Sequence, residues 1–580
     1  MLVCFVTLSL NDAFAQKKRK NKKAGKPPVV VSAHGGEYYF IEAEKFFLLE
    51  DYTKAVELFK KCLVISGEND AAHFKLAQIY NYTEEYDKAI PHALTALELN
   101  NSNKFYYLLA VDIYTNKSDL EGAAKMFEQL LEKVPKSEEY LFDLAAVYVY
   151  KNDLNKAIQT YDRIEKAFGV NEQATAQKQK VLLRLNRVED AIKEGEKLIK
   201  AVPSEPRYVI RLCEILASNN KGKEARALLE NLLNTNDEVP IARLLLADLY
   251  AKEKMFDLAD EQLQIAFYSP EVNPNAKINV LMSFLALIPN ERMETQLKVL
   301  GDILVKMHEG VEDVHLIRGD IYTTFLDKKL VEKDEIDHTK SEAVASYAKY
   351  LSYNQSNFTV WQNLLNLELQ LNRPDSVIAH SENALEYYPE QAWLYLINGA
   401  ANLQMKRNNE AIEMFEMGKK RAANNKGLLS LFYGYLGDTY NSTNQYAESD
   451  KAYESALEIN PNNSVVLNNY SYFLSLRHTK LELAKKMSVR LIRNNPDNNT
   501  YLDTYAWVHY HLKDFEEAKR VLEKVVKGGD VNGEQLDHYG DVLFQLGEIE
   551  EAVKQWNKAR NLDKTLENID KKIAERKIIQ

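Results

Sequence analysis

Glycine and proline are scarce in this chain of 580 residues, at 21 and 14. Tight turns and bulged sheets draw heavily on both residues. Their scarcity argues against a strand-and-turn architecture and for long helices joined by short turns. Cysteine is rarer still, with only Cys4, Cys62 and Cys213. There is no CxxC, no HExxH and no clustered His/Cys set, so the spacing offers no metal site. Cys62 and Cys213 stand at core positions far apart along the chain and read as buried free thiols. Long apolar runs are missing too, and the run Leu2–Leu10 is too short to cross a bilayer. There is no GxSxG, no glycine-rich phosphate loop and no carboxylate pair beyond ordinary helix surfaces. The chain therefore reads as non-enzymatic, with no catalytic residues, no cofactor and no metal expected.

What is present is globular in character, with 46% hydrophobic and 27% charged residues. A chain of this length exceeds one compact core, so several domains or a repeat array is expected. The net charge of −11 argues against a nucleic-acid partner. An acidic surface of this kind ordinarily serves solubility. Tyrosine is abundant at 34, and several tyrosines recur at fixed spacings.

The first 15 residues read as an export leader. The apolar run Leu2–Leu10 is followed by Ala13-Phe-Ala15 before Gln16, an A-x-A cleavage pattern. The charged region that opens such leaders is missing, as expected if the chain begins inside one. The alternative is an ordinary apolar N-terminus. Residues 16–35 read as a basic, disordered linker, and Lys17 to Lys26 carries seven basic residues. Residues 1–26 sum to +6, which leaves −17 on the remainder. The basic run is either a solvated spacer or a peripheral tether to an anionic membrane surface.

From residue 36 a rhythm begins. Ala55, Ala89, Ala123, Ala157, Ala191, Ala225 and Ala259 stand 34 residues apart, each early in an expected second helix. First-helix positions recur with them: Ala43, Ala77, Ala145 and Ala247, and the aromatics Tyr80, Tyr114, Tyr148 and Tyr250. A small side chain at a helix crossing lets the backbones approach closely, and a large one there would overpack the contact. The rhythm lapses over 274–357, where a charged insertion, 327–339, delays the partner helix of Arg318-Gly-Asp-Ile-Tyr322. That stretch reads as degenerate repeats, forming either a joint between two arrays or a drifted pair. The pattern resumes over 358–564, with Ala518 and Ala552 at the small positions. The tail, 565–580, is a polar amphipathic helix suited to capping the last unit.

The clearest unit runs from Leu431 to Pro461. Its pattern Leu436-Gly437-x-x-Tyr440 … Tyr453-x-x-Ala456 … Pro461 resembles the tetratricopeptide repeat, a helix–turn–helix unit of about 34 residues. The resemblance implies an all-α, right-handed superhelical solenoid of about 14 such repeats, seven of them within 36–273. The last three units resemble a set found together in exported bacterial proteins of this family.

In that family the first helices line a concave groove that binds protein segments. Carried onto the last units, this register places Tyr472, Asp503, Trp507, Tyr510, Asp537 and Asp541 on the groove. Aromatic anchors beside carboxylates suit an extended peptide with apolar and basic side chains. The family's chaperone-tail clamp needs Asn and Lys or Arg at set positions. Here those places hold Ile41, Lys75, Leu109 and Asp143, with Asn363 isolated, so that partner is disfavoured. His509 and His511 would point to different faces of one helix, which disfavours a metal pair. The expected role is a protein-binding scaffold of the bacterial cell envelope, periplasmic or associated with the outer membrane. The alternatives are an accessory that recruits a cell-wall or polysaccharide enzyme, and a cytoplasmic regulator.

Overall fold

The computed structural model describes residues 35–579. The leader, and all of the basic linker except Gly35, lie outside the described residues. The described chain contains 31 α-helices and no strand. It divides into two compact units, Met1–Met255 and Phe256–Gln580. The division falls before residue 273, where the sequence rhythm ends the first array.

The described part of the first unit holds α1 (Gly35–Leu48), α2 (Tyr52–Ile65), α3 (Asp70–Tyr82), α4 (Tyr86–Leu99), α5 (Lys104–Asn116) and α6 (Leu120–Lys133). It continues with α7 (Leu141–Tyr150), α8 (Leu154–Phe168), α9 (Glu172–Arg184), α10 (Val188–Ala201), α11 (Pro206–Ser218), α12 (Gly222–Thr235) and α13 (Pro240–Lys252). The second unit opens with α14 (Phe256–Tyr268), α15 (Pro274–Leu285), α16 (Glu291–Met307), α17 (Glu312–Asp327) and α18 (Ile336–Tyr353). Then come α19 (Phe358–Gln370), α20 (Pro374–Tyr387), α21 (Ala392–Gln404), α22 (Asn408–Arg421), α23 (Lys426–Ser442) and α24 (Tyr446–Ile459). The unit closes with α25 (Ser464–Leu476), α26 (Leu481–Asn494), α27 (Asn499–His511), α28 (Phe515–Lys527), α29 (Gly533–Gln545), α30 (Ile549–Leu562) and α31 (Ile569–Glu575). In chain order α1–α12 make six pairs within the first unit and α15–α30 make eight within the second, while α13 ends the one unit and α14 opens the other.

Each pair forms because its local signals agree. Asparagine caps most first helices; the Asn69, Asn103, Asn171 and Asn463 side chains accept from backbone N–H groups of the first turn. Asp51, Asp119 and Asp153 cap second helices in the same way. Between the two helices of most pairs, one residue adopts a left-handed conformation. In the first unit these are Glu50, Glu84, Ser118, Asn152, Asn186, Asn220 and Lys254, again 34 apart, with φ between 57° and 64°. The chain thus reverses direction with almost no glycine. The seven alanines of the 34-residue series are fully buried, as are Ala456, Ala518 and Ala552. A Cβ built on Gly437 would lie 2.5 Å from the Tyr453 ring, so only glycine fits there. Cys62 and Cys213 are buried free thiols.

The irregular stretch is also helical. The insertion 327–339 is absorbed partly as the loop after α17 and partly as an added first turn of α18, which runs to 18 residues. The tail contributes a shorter helix than expected, α31, packed on α30. No helix among the described residues is long and apolar enough to cross a membrane.

Candidate protein-binding face

Within the second unit, first helices of successive pairs also touch one another: α15 meets α17, α21 meets α23, α23 meets α25, α25 meets α27 and α27 meets α29. Their shared surface is the face on which the six expected groove residues lie. At the C-terminal end that face is closed. Trp507 stacks on His538 at a centroid distance of 3.7 Å and on Tyr510 at 4.6 Å. His538 Nδ1 lies 3.1 Å from both oxygens of Asp503. The Tyr472 hydroxyl donates to Glu534 at 2.8 Å. Gln545 donates to the Tyr510 hydroxyl at 3.3 Å.

Lys572, on α31, completes the closure. Its Nζ donates to Asp541 at 2.9 Å and to Asp537 at 2.9 and 3.0 Å. Asp503, Trp507 and Asp541 are only 7%, 8% and 5% exposed. Tyr472, Tyr510 and Asp537 are half-buried. The six residues come together mainly through His538, Glu534, Gln545 and Lys572 of the neighbouring helices, while the buried Trp507 Nε1 has no hydrogen-bond partner among the described residues. Burial pushes Asp541 up to about 6, against the opposing pull of Lys572. His538 is also displaced upwards, because the Asp503 carboxylate outweighs the cost of burying its charge. His509 Nδ1 sits 2.8 Å from Asp514, whereas His511 lies edge-on to His478 and Trp507. Burial, with His478 beside it, brings His511 down to about 4.

Asp541 belongs to a device that the 34-residue alanine series conceals. Trp556 Nε1 donates to its Oδ1 at 3.0 Å, and the Trp556 ring fills the space left by Gly540. The same arrangement stands in two earlier pairs. The Tyr347 hydroxyl donates to Asp320 at 2.8 Å with its ring over Gly319, and the Tyr453 hydroxyl donates to Asp438 with its ring over Gly437. A glycine in the first helix admits the aromatic of the second, and the next residue, aspartate, takes up its polar tip. The pair α21–α22 keeps only half of this, because Phe415 packs on Gly399 but has no polar tip to donate. A signal was available: Gly-Asp followed 15 residues later by Tyr or Trp. In α17–α18 the interval is 27 because the insertion intervenes.

Around the two earlier aspartates the face is open. Between α15 and α17 lies a cavity of about 410 Å³, walled by Ile278, Met282, Leu285, Leu316 and Ile317. Asn275, Asn279, Asp313 and Asp320 supply its polar rim. Between α23 and α25 a cavity of about 180 Å³ is lined by Leu431, Val465, Val466 and Asp438 among others. Burial raises the carboxyl groups of both Asp320 and Asp438, against the hydrogen bonds from their tyrosines. Asp438 also accepts from Asn469 at 2.9 Å. Among the described residues neither Asp313 nor Asp320 has a cationic partner.

The tetratricopeptide repeat family matches residues 71–103 and 432–463 in one form and 108–172 in another. The chain carries tetratricopeptide repeats. These matches fall on α3–α4, α5–α8 and α23–α24, pairs of the regular kind. No curated protein matches this chain. Among solved structures, the Cut9-Hcn1 hetero-tetramer of the APC/C is similar at 13% identity and TM-score 0.35, covering 93% of this chain and 96% of that one. A tetratricopeptide repeat protein from Parabacteroides merdae is similar at 13% identity and TM-score 0.37, covering 45% of this chain and 98% of that one. Yeast Tom70 is similar at 14% identity and TM-score 0.28, covering 93% of this chain and 94% of that one.

Proposed function

We propose that this tetratricopeptide-repeat protein is a non-enzymatic adaptor that holds segments of partner proteins on the face of its first helices. The observation that carries this reading is the pair of apolar-walled cavities between consecutive first helices, each with a desolvated carboxylate at its rim. Concave or grooved surfaces with a few convergent polar groups are where ligands gain both affinity and orientation. Crosslinking of the full chain in its native fraction, followed by peptide mapping, tests the reading. Crosslinks concentrated on α15–α17 and α23–α25 are expected; partners crosslinked only to the second helices would overturn it.

The place of action we propose is the bacterial cell envelope. Its support is in the sequence: the apolar run Leu2–Leu10, the Ala13-Phe-Ala15 pattern, and a basic stretch suited to peripheral contact with anionic lipid. Fractionation with N-terminal sequencing separates the outcomes. A mature chain beginning at Gln16 in the periplasmic or membrane fraction is expected, whereas an uncleaved chain in the cytosol would remove the envelope from this reading.

A further inference from the structure

We propose that the cavity between α15 and α17 is a subsite for a partner segment that carries two basic side chains flanking an apolar one. The inference rests on the adaptor reading and names the chemistry of what is held.

Three observations converge on this chemistry. The first is the equivalence of Asp320 with Asp541. Both follow the glycine of the same device, and both accept from the aromatic that covers it. At Asp541 the chain itself shows which group completes the site: the ammonium of Lys572, 2.9 Å from both carboxylate oxygens and almost wholly buried. The second is charge. Asp313 and Asp320 line the cavity two helical turns apart, about 10 Å along α17. The nearby cations are turned elsewhere: Arg318 pairs with Asp302 and Glu342, while Lys277 is buried against the carbonyls of Phe267 and Ser269. The third is shape. The wall between the two carboxylates is Ile278, Met282, Leu316 and Ile317, and Met282 is 55% exposed. An apolar side chain belongs over that wall. In an extended segment rising about 3.3 Å per residue, alternate side chains share a face, so basic residues four positions apart with an apolar one midway face the two carboxylates and the wall between them.

The corresponding gap between α27 and α29 is filled by the stack of Trp507 and His538. The α15–α17 cavity is therefore the unfilled version of a site that the last pairs complete internally. A basic side chain entering it meets a carboxylate already stripped of much of its water, where a charge-assisted hydrogen bond is stronger than at an open surface.

Fluorescence anisotropy with the labelled peptide Gly-Lys-Ala-Leu-Ala-Lys-Gly, its glutamate-for-lysine counterpart and the full chain tests the proposal. The basic peptide is expected to bind with a salt-dependent affinity and the acidic one not to bind. Asp313→Asn with Asp320→Asn is expected to weaken binding by about tenfold or more. Asparagine keeps an acceptor for Tyr347, and circular dichroism reports whether the helices persist. Met282→Arg, which supplies the cavity with a cation of its own on an exposed position, is expected to block binding independently. Equal binding by the wild-type and Asn variants, or none by the wild type up to millimolar peptide, would overturn the subsite. If deleting residues 17–26 raises peptide affinity, the occupant is this chain's own basic segment, and the partner assignment falls. The adaptor reading fails separately, when partners do not crosslink to the first-helix face at all. It stands alone when they do so unchanged in the Asn variants.

Discussion

The last helix pair, α29–α30, and the pair α17–α18 share one device and put it to opposite ends. In both, a first-helix glycine admits an aromatic from the second helix, and an aspartate receives the aromatic's polar hydrogen. At the C-terminus a lysine, a histidine and a tryptophan then seal the surrounding face. At α15–α17 nothing among the described residues seals it, and a cavity of about 410 Å³ remains. A solenoid must cover its last exposed core, and α31 does so here. An internal pair has neighbours on both sides, so its first-helix face is free to be used. The sequence pattern of the two regions is nearly the same, and position in the array decides whether it serves as a cap or as a cavity.

The strongest break in this comparison is Trp556→Ala. Trp556 is fully buried and holds Asp541, so truncation should cost roughly 3–5 kcal/mol at the closed end. Because each pair leans mainly on its neighbours, the loss should stay local. Hydrogen exchange should quicken in α29–α31 and stay unchanged in α15–α17. Protection lost equally in both regions would mean that they do not differ in the way described.

Lys572→Met should come next. It leaves Asp537 and Asp541 without their cation while Asp541 stays buried, and breaking such a pair from one side costs on the order of 3 kcal/mol. Adding Asp541→Asn should recover part of the loss, because it removes the uncompensated charge but keeps an acceptor for Trp556. If the double variant is no more stable than the single one by thermal melting, the ion pair is not what fastens the cap.

The two regions should also respond to pH with opposite signs. His538 is raised above its ordinary value by Asp503, with Glu534 and Asp537 adding to the effect. The folded state therefore favours its protonated form, and that stabilisation is complete below about 6.5 and lost as pH rises through the native value. In the α14–α16 region, burial lowers Lys277 to about 8 while its ammonium faces the carbonyls of Phe267 and Ser269 and His308 Nε2. There the unfolded chain binds the proton more tightly, so stability should rise as pH climbs from about 8 towards 10.5. Exchange corrected for its intrinsic pH dependence should show α27–α29 loosening and α14–α16 tightening over these windows. His538→Gln should flatten the first trend and Lys277→Met the second.

The difference between the regions explains what could be read in advance. The helices and their order were legible, because the 34-residue alanine spacing and the Gly437…Tyr453 crossing are local consequences of packing distance. The family resemblance supplied the first-helix face and drew attention to Trp507, Asp503 and Asp541. It did not reveal that they were already engaged. The partners responsible, His538 and Lys572, come from the next pair and from the tail, and Lys572 stands 31 residues beyond Asp541. Periodicity says where a side chain points on its own helix, but not what a later helix brings to it. The cavity at α15–α17 was hidden for the opposite reason. Alanine spacing lapses there, so a structurally regular pair looked like drift, and the Gly-Asp device stood 12 residues out of step behind the insertion.

The smallest effect tests the turns, which the two regions make with different residues in the same conformation. Gly547 turns α29 into α30 with φ at 81°, and Lys329 follows α17 with φ at 57°. Both turns close in the same way: Glu548 N–H donates to Leu543 O and Leu330 N–H to Phe325 O, each at 2.9 Å. Nothing lies within 4 Å of a Cβ placed on Gly547, so Gly547→Ala changes backbone strain and little else. A left-handed non-glycine residue costs about 1 kcal/mol, so the alanine variant should lose roughly that much at the closed end. Lys329→Gly should recover a smaller amount at the open end, because glycine relieves the same strain but gives part of it back as conformational freedom of the unfolded chain. Local exchange free energies at α29–α30 and α17–α18 measure the two shifts directly. Opposite signs are expected; the same sign at both sites would mean that the loop left by the 327–339 insertion, rather than the left-handed residue, sets the stability of the α17–α18 turn.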